Sequence, residues 1–262
     1  MFRRRYARAI ERSLHRYGDD ASQLGELFLP DGSGPHAVVV VIHGGYWKAR
    51  YDRSLMTGLC EDLAGRDLAA WNLEYRRTGN GGGWPETFAD VAAGVDLLSD
   101  LEASLDLDRV GAIGHSAGGQ LALWAAARPT LSSDAPGAAP RVCPRAVVSQ
   151  AGVADLRLAA VTSPSDEPTL ALMGGSPEEH PERYALASPR ERLPLGVEQL
   201  VLHGQEDETV SMLASESYCA AAEALGDACE LRVLPRTGHF EHIDASTEAW
   251  RIGRDWLAER LS

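Results

Sequence analysis

The sequence predicts an α/β fold, a mostly parallel, twisted sheet with helices on both faces. Three observations point to it. Short apolar segments alternate with helical ones, as a parallel sheet with crossover helices requires. The run Ala37 to Ile42, rich in β-branched residues, reads as a strand buried on both faces. Gly114-His115-Ser116-Ala117-Gly118 reads G-x-S-x-G, set between an apolar strand, Arg109 to Ile113, and a helix, Gly119 to Ala127. Strand, sharp turn, helix is the context of a nucleophile elbow, in which a serine hydroxyl stands clear at the top of the sheet.

The remaining elements follow in order. Leu24 to Leu29 reads as an edge strand, closed by Pro30-Asp31-Gly32. Ser54 to Ala64 reads as a helix with Gly65 near its stop, and Leu68 to Leu73 as the next strand. The loop Gly79 to Pro85 precedes an amphipathic helix, Phe88 to Leu101. Beyond the elbow helix and a Pro/Ala/Gly/Ser-rich loop (129–140), Ala146 to Ser149 is another buried strand. Residues 153–195 read as irregular and proline-rich, a small cap or lid inserted over the active end of the sheet. Leu200 to Leu202 and Glu230 to Leu234 are the last strands. With no internal repeat and no linker, residues 1–262 read as one domain.

Composition narrows the function. The chain is 44% apolar and 24% charged over 262 residues, ordinary for a globular protein with a sizeable core. A net charge of −13 disfavours general nucleic-acid binding. Arg3, Arg4, Arg5, Arg8, Arg12 and Arg16 form a basic N-terminus, read as a solvated helix or frayed arm, with contact to an acidic surface as the alternative. No apolar stretch follows those arginines as a secretory signal needs, and no run approaches the length of a membrane span. Cys60, Cys143, Cys219 and Cys229 show no C-x-x-C spacing, so they read as reduced and the protein as cytoplasmic.

A serine hydroxyl needs a base, and the base an orienting acid. In a sheet of this kind they follow the serine in the order acid, then histidine. Asp207 follows the strand Leu200 to Leu202, and His239 follows the strand ending at Leu234. Glu206 and Glu208 compete with Asp207. His242 competes with His239, or is a surface histidine or a second wall of the site. His203 reads as a structural turn residue, and His115 as packing beneath the elbow. His43-Gly44-Gly45-Tyr46-Trp47 follows the first buried strand and suits an oxyanion loop, in which backbone N–H groups meet the developing negative charge. Gly45 and Tyr46, with Ala117 after the nucleophile, are the expected donors, Gly44 the alternative. His43 reads as fixing the loop. Trp47, Trp84 and Phe240 are candidate pocket walls.

These motifs resemble the α/β-hydrolase superfamily across nearly the whole chain. His43 to Trp47 and Gly114 to Gly119 look like the hormone-sensitive-lipase-like esterases and the kynurenine formamidases (arylformamidases). The resemblance implies a triad of Ser116, Asp207 and His239 and hydrolysis without a cofactor or metal; no H-E-x-x-H or suitably placed G-x-G-x-x-G occurs. Gln120 stands where formamidases often carry histidine. The serine at the elbow separates the chain from superfamily members that use aspartate or cysteine. The expected activity is cleavage of small carboxylic esters. The alternatives are an arylformamidase, a small prolyl-oligopeptidase-like peptidase and a non-catalytic binding protein. The expected partner is a small-molecule ester or amide, without nucleic acid or membrane; a homodimer is left open.

Overall fold

The computed structural model describes residues 10–162 and 168–262. Its frame is one eight-stranded sheet: β1 (Glu11–Arg16), β2 (Leu24–Leu29), β3 (His36–Ile42), β4 (Ala69–Leu73), β5 (Leu105–His115), β6 (Ala146–Gln150), β7 (Glu198–Gly204) and β8 (Cys229–Leu234). The spatial order is β1-β2-β4-β3-β5-β6-β7-β8. Strand β2 runs antiparallel to both its neighbours, β1 and β4, and β4, β3 and β5 to β8 are mutually parallel. This is the α/β-hydrolase fold expected.

Two expectations are corrected at the open edge. Leu24–Leu29 lies between two strands, and the edge is β1, with Leu14 opposite Glu26. The basic N-terminus is therefore neither a helix nor a frayed arm over residues 11–16. Arg12 bonds Glu26 (2.8 Å) and Glu61 (3.1 Å) and stands over the Phe28 ring. Arg3, Arg4, Arg5 and Arg8 lie outside the described residues.

Alternation along β3 builds the core. Val38, Val40 and Ile42 face one layer and Val39 and Val41 the other, because successive strand side chains point to opposite faces. The first layer receives Phe88 and Val91 of α2 (Glu86–Asp96), Leu121 and Trp124 of α3 (Ala117–Ala127), and Tyr218 of α7 (Met212–Ala224). The second receives Leu59 and Leu63 of α1 (Thr57–Ala64) and Trp250 and Leu257 of α8 (Glu248–Arg260). Helix α3 is buried along its whole length, so its sequence is apolar all round. The helix expected over Ser54 to Ala64 opens with a 3-10 turn, Arg53–Met56, capped by the Asp52 carboxylate on the Ser54 amide. Helix α2 starts at Glu86 and passes into a 3-10 turn, Leu97–Asp100.

Among its described residues, the segment expected to be irregular holds three short α-helices, α4 (Leu156–Thr162), α5 (Pro168–Met173) and α6 (Pro181–Ala187), and a 3-10 turn, Pro189–Arg192. It is anchored to α3: the Trp124 indole donates to Leu186 O (3.0 Å) and the Gln120 amide to Ala187 O (3.0 Å). Helix α7 (Met212–Ala224) lies between β7 and β8 in sequence.

Candidate active site

Ser116 joins β5 to α3 with φ 55° and ψ −119°, outside the regions open to a side chain at little cost. The surroundings hold it there. Its amide donates to Gln150 O (2.8 Å), and its carbonyl accepts from Gly119 N (2.9 Å) and Gln120 N (3.2 Å). The flanking glycines are steric necessities: a Cβ at Gly114 would strike the Gly118 carbonyl, and one at Gly118 the Ile42 carbonyl. Ser116 is only 4% exposed.

Asp207 and His239 meet on the loops after β7 and β8. Asp207 Oδ1 accepts from the amides of Thr209 (2.8 Å) and Val210 (2.9 Å), and Oδ2 accepts from His239 Nδ1 (2.7 Å). Burial works to raise the Asp207 pKa, but the His239 and amide hydrogen bonds outweigh it and hold the carboxyl down at about 2. Asp207 is thus a committed anion. With Nδ1 engaged, Nε2 is the imidazole nitrogen left for proton transfer. Glu206 and Glu208 are exposed and do not bond His239.

Two further histidines hold this pair. His203 donates from Nε2 to Val210 O (3.0 Å) and accepts the Ser215 hydroxyl at Nδ1 (2.8 Å), bracing the Asp207 loop from beneath. His115 donates from Nε2 to His239 O (2.8 Å), and the two rings stand 4.5 Å apart. His115 therefore ties the His239 loop to the elbow. No hydrogen bond joins Ser116 Oγ to His239.

The expectations for His242 are corrected. It is fully buried, neither at the surface nor lining the cleft, its ring 6.2 Å from that of His115. Burial, reinforced by His203 and His239, pushes its pKa down to about 4. His43 falls to about 3 by burial and the nearby Arg77. A histidine whose folded pKa lies below the unfolded 6.5 takes up a proton on unfolding. Its contribution is complete above pH 6.5 and is lost as pH falls toward the folded pKa. The urea midpoint should therefore drop between pH 7 and pH 4, and His242→Phe should flatten that slope by roughly 3 kcal/mol over the interval. An unchanged slope in the variant would show that His242 does not contribute.

His43 to Trp47 lies against the elbow; a Cβ on Gly44 would approach Ser116 Cβ to 3.1 Å. Gly45, Tyr46 and Trp47 all have positive φ (112°, 57° and 52°). Among the described residues the amides of Gly44, Gly45, Tyr46 and Ala117 have no hydrogen-bond partner. His43 fixes the loop as expected. Its Nδ1 donates to Gly44 O (2.7 Å), its ring stacks on Tyr75 at 4.5 Å, and the Tyr75 hydroxyl donates to His43 O (2.8 Å). Beside it Arg77 pairs with Glu74.

Ser116 and Asp207 open on a cleft of about 300 Å³, and His239 does not line it. Ser116, Ala117, Tyr46 and Trp47 form its floor, Val153, Leu158, Ala159, Thr162, Pro168 and Thr169 one wall, and Asp207 to Ser211 with Leu213 and Ala214 the other. Trp47, a candidate pocket residue, lines this floor. Its indole donates to Gln120 Oε1 (3.1 Å), so Gln120 links the His43–Trp47 loop, the elbow helix and α6. Trp84 and Phe240 are corrected. Trp84 packs on Phe88, which packs on Trp124, an aromatic core stack away from the cleft. Phe240 is 64% exposed, edge-on to His239 but outside the cleft.

A model of the BD-FAE family matches residues 26–221, from the second strand through most of α7. The chain belongs to the BD-FAE family. The matched region holds the His43–Trp47 loop, the elbow and Asp207, and His239 lies beyond it. No curated protein matches the sequence. Among solved structures, a truncated carbohydrate esterase from gut microbiota superposes with TM-score 0.81 at 22% identity, over 94% of each chain. Propionate-bound Est2, an esterase of Thermogutta terrifontis, gives 0.76 at 20% identity over 95% of this chain and 93% of that one. An inhibited esterase B from Lactobacillus rhamnosis gives 0.82 at 21% identity over 97% and 86%. At these identities the likeness shows the shared fold. No described helix is long and apolar enough to cross a membrane.

Proposed function

We propose that this chain is a serine hydrolase that cleaves small carboxylic esters through an acyl-enzyme on Ser116. The observation that carries the reading is the Asp207–His239 hydrogen bond of 2.7 Å, on a loop whose His239 carbonyl His115 ties to the elbow carrying the strained Ser116. His239 takes the hydroxyl proton as Ser116 Oγ attacks the carbonyl carbon, and Asp207 stabilises the imidazolium. The Gly45, Tyr46 and Ala117 amides donate to the tetrahedral oxyanion, with Gly44 in reserve. His239 passes the proton to the leaving alcohol. Water then repeats the attack on the acyl-enzyme and releases the acid.

The size and lining of the cleft support small substrates, and residues 153–195 serve as its cap. The esterases among the structural neighbours, one of them holding propionate, support ester chemistry. A panel of p-nitrophenyl esters, with N-formylkynurenine and a prolyl amide, tests the reading. The expected kcat/KM peaks between acetate and hexanoate and falls at least ~10-fold by dodecanoate, because a cleft at the small end of the usual ligand-pocket range cannot bury a long chain. A peak at dodecanoate or beyond, or faster turnover of the formamide or prolyl amide, would contradict it.

A further inference from the structure

Helix α7 does two jobs at the cleft. Leu213 and Ala214 in its first turn line the wall, and Ser215 bonds His203 beneath the Asp207 loop. Strand β8, packed against α7, runs into the loop that carries His239. Where these elements touch lie two cysteines, Cys219 on the buried side of α7 and Cys229 at the start of β8. Their sulfur atoms are 2.7 Å apart. A disulfide bond measures about 2.05 Å, so each sulfur need move only about 0.3 Å to form one. Cys60 and Cys143 have no such sulfur partner among the described residues.

We propose that Cys219 and Cys229 form a disulfide when the protein meets a small-molecule disulfide such as oxidised glutathione, and that the bond clasps α7 to β8. Cys229 is the half-buried member and Cys219 is 7% exposed, which sets the order of events. The Cys229 thiolate attacks one glutathione sulfur, and the other glutathione leaves as a thiolate and takes up a proton. The Cys219 thiolate then attacks Cys229 Sγ in the mixed disulfide and expels the second glutathione. Two protein thiols are oxidised by two electrons, and one oxidised glutathione becomes two reduced ones. The hydrogen bond to Cys219, and then burial, push the Cys229 thiol well above its ordinary pKa. The thiolate is therefore scarce at neutral pH, and the bond forms slowly, faster as pH rises. That suits a structural clasp better than a fast redox sensor.

The test incubates the whole protein with oxidised glutathione at pH 8.5, blocks remaining thiols under denaturing conditions, and digests after glutamate. Cleavage after Glu216, Glu223 and Glu230 separates the cysteines into peptides 217–223 and 224–230. The expected result is one species joining these peptides, reversed by dithiothreitol, with Cys60 and Cys143 both alkylated. Oxidised protein should melt roughly 5 °C above the reduced form. Cys219→Ser and Cys229→Ser should each abolish both effects and keep reduced-state turnover. Four alkylated thiols after prolonged oxidation, a glutathione adduct stable on Cys229, or a linked species with unchanged Tm would each overturn the proposal.

Discussion

Ser116→Ala is expected to lower ester kcat by about 10⁴-fold or more, with the circular dichroism spectrum and Tm retained. The hydroxyl is the only atom lost, and everything that holds the elbow acts through the backbone: the Gln150 carbonyl on the Ser116 amide, and the Gly119 and Gln120 amides on its carbonyl. A loss of this size is what removal of a triad nucleophile produces, the residue arising from the oxyanion donors and binding alone. Ser116→Gly separates chemistry from strain. At φ 55°, ψ −119° any Cβ costs about 1–3 kcal/mol. Glycine removes that cost and loses about 0.5–1 kcal/mol through a freer unfolded chain. The glycine variant should be equally inactive yet melt no lower than wild type. Near wild-type turnover in either variant would mean that Ser116 does not form the acyl-enzyme.

Asp207→Asn is the second large effect, and its size follows from how the carboxylate is used. Oδ1 accepts two loop amides and Oδ2 accepts His239 Nδ1–H. Asparagine has one acceptor oxygen, and the two amides of Thr209 and Val210 claim it. Its NH₂ group then faces His239 Nδ1, which must give up its proton and accept. The proton moves to Nε2, the nitrogen that would have received the serine proton. The variant keeps the shape of the site and holds the base in the wrong tautomer, so kcat near pH 7.5 should fall about 10⁴-fold. Glu206→Gln and Glu208→Gln, at exposed positions, should change kcat less than about 3-fold. Loss of activity in one of those with Asp207→Asn unaffected would move the acid to the neighbouring glutamate.

The parts of this site that were legible in the sequence are those whose chemistry is local. The elbow is five consecutive residues whose glycines avoid collisions with Gly118 and Ile42 carbonyls. Asp207 and His239 sit where strands deliver side chains to one end of a parallel sheet. What stayed hidden depends on partners distant in sequence. Strand β1, Glu-Arg-Ser-Leu-His-Arg, has a single apolar residue, and only its pairing with β2 makes it a strand. The cleft walls come from helices in a segment whose prolines read as irregular; three of them, Pro168, Pro181 and Pro189, instead begin helical turns, where proline is well tolerated. Trp84 and Trp47 sit in similar loops, and only packing decides that one joins Phe88 and the other the cleft. His203 and His115 each fix a loop that a residue count cannot show to be adjacent. Cys219 and Cys229 are ten positions apart across a helix and a strand, a spacing with no motif in it.

The central claim is that Ser116 is the nucleophile, with His239 as its base. Fluorophosphonate labelling followed by peptide mass spectrometry tests it most directly. The predicted result is one covalent adduct per chain, on the peptide containing Ser116, formed at least ~100-fold more slowly in His239→Ala. No adduct on the folded protein, an adduct on another residue, or labelling that ignores His239 would contradict the account.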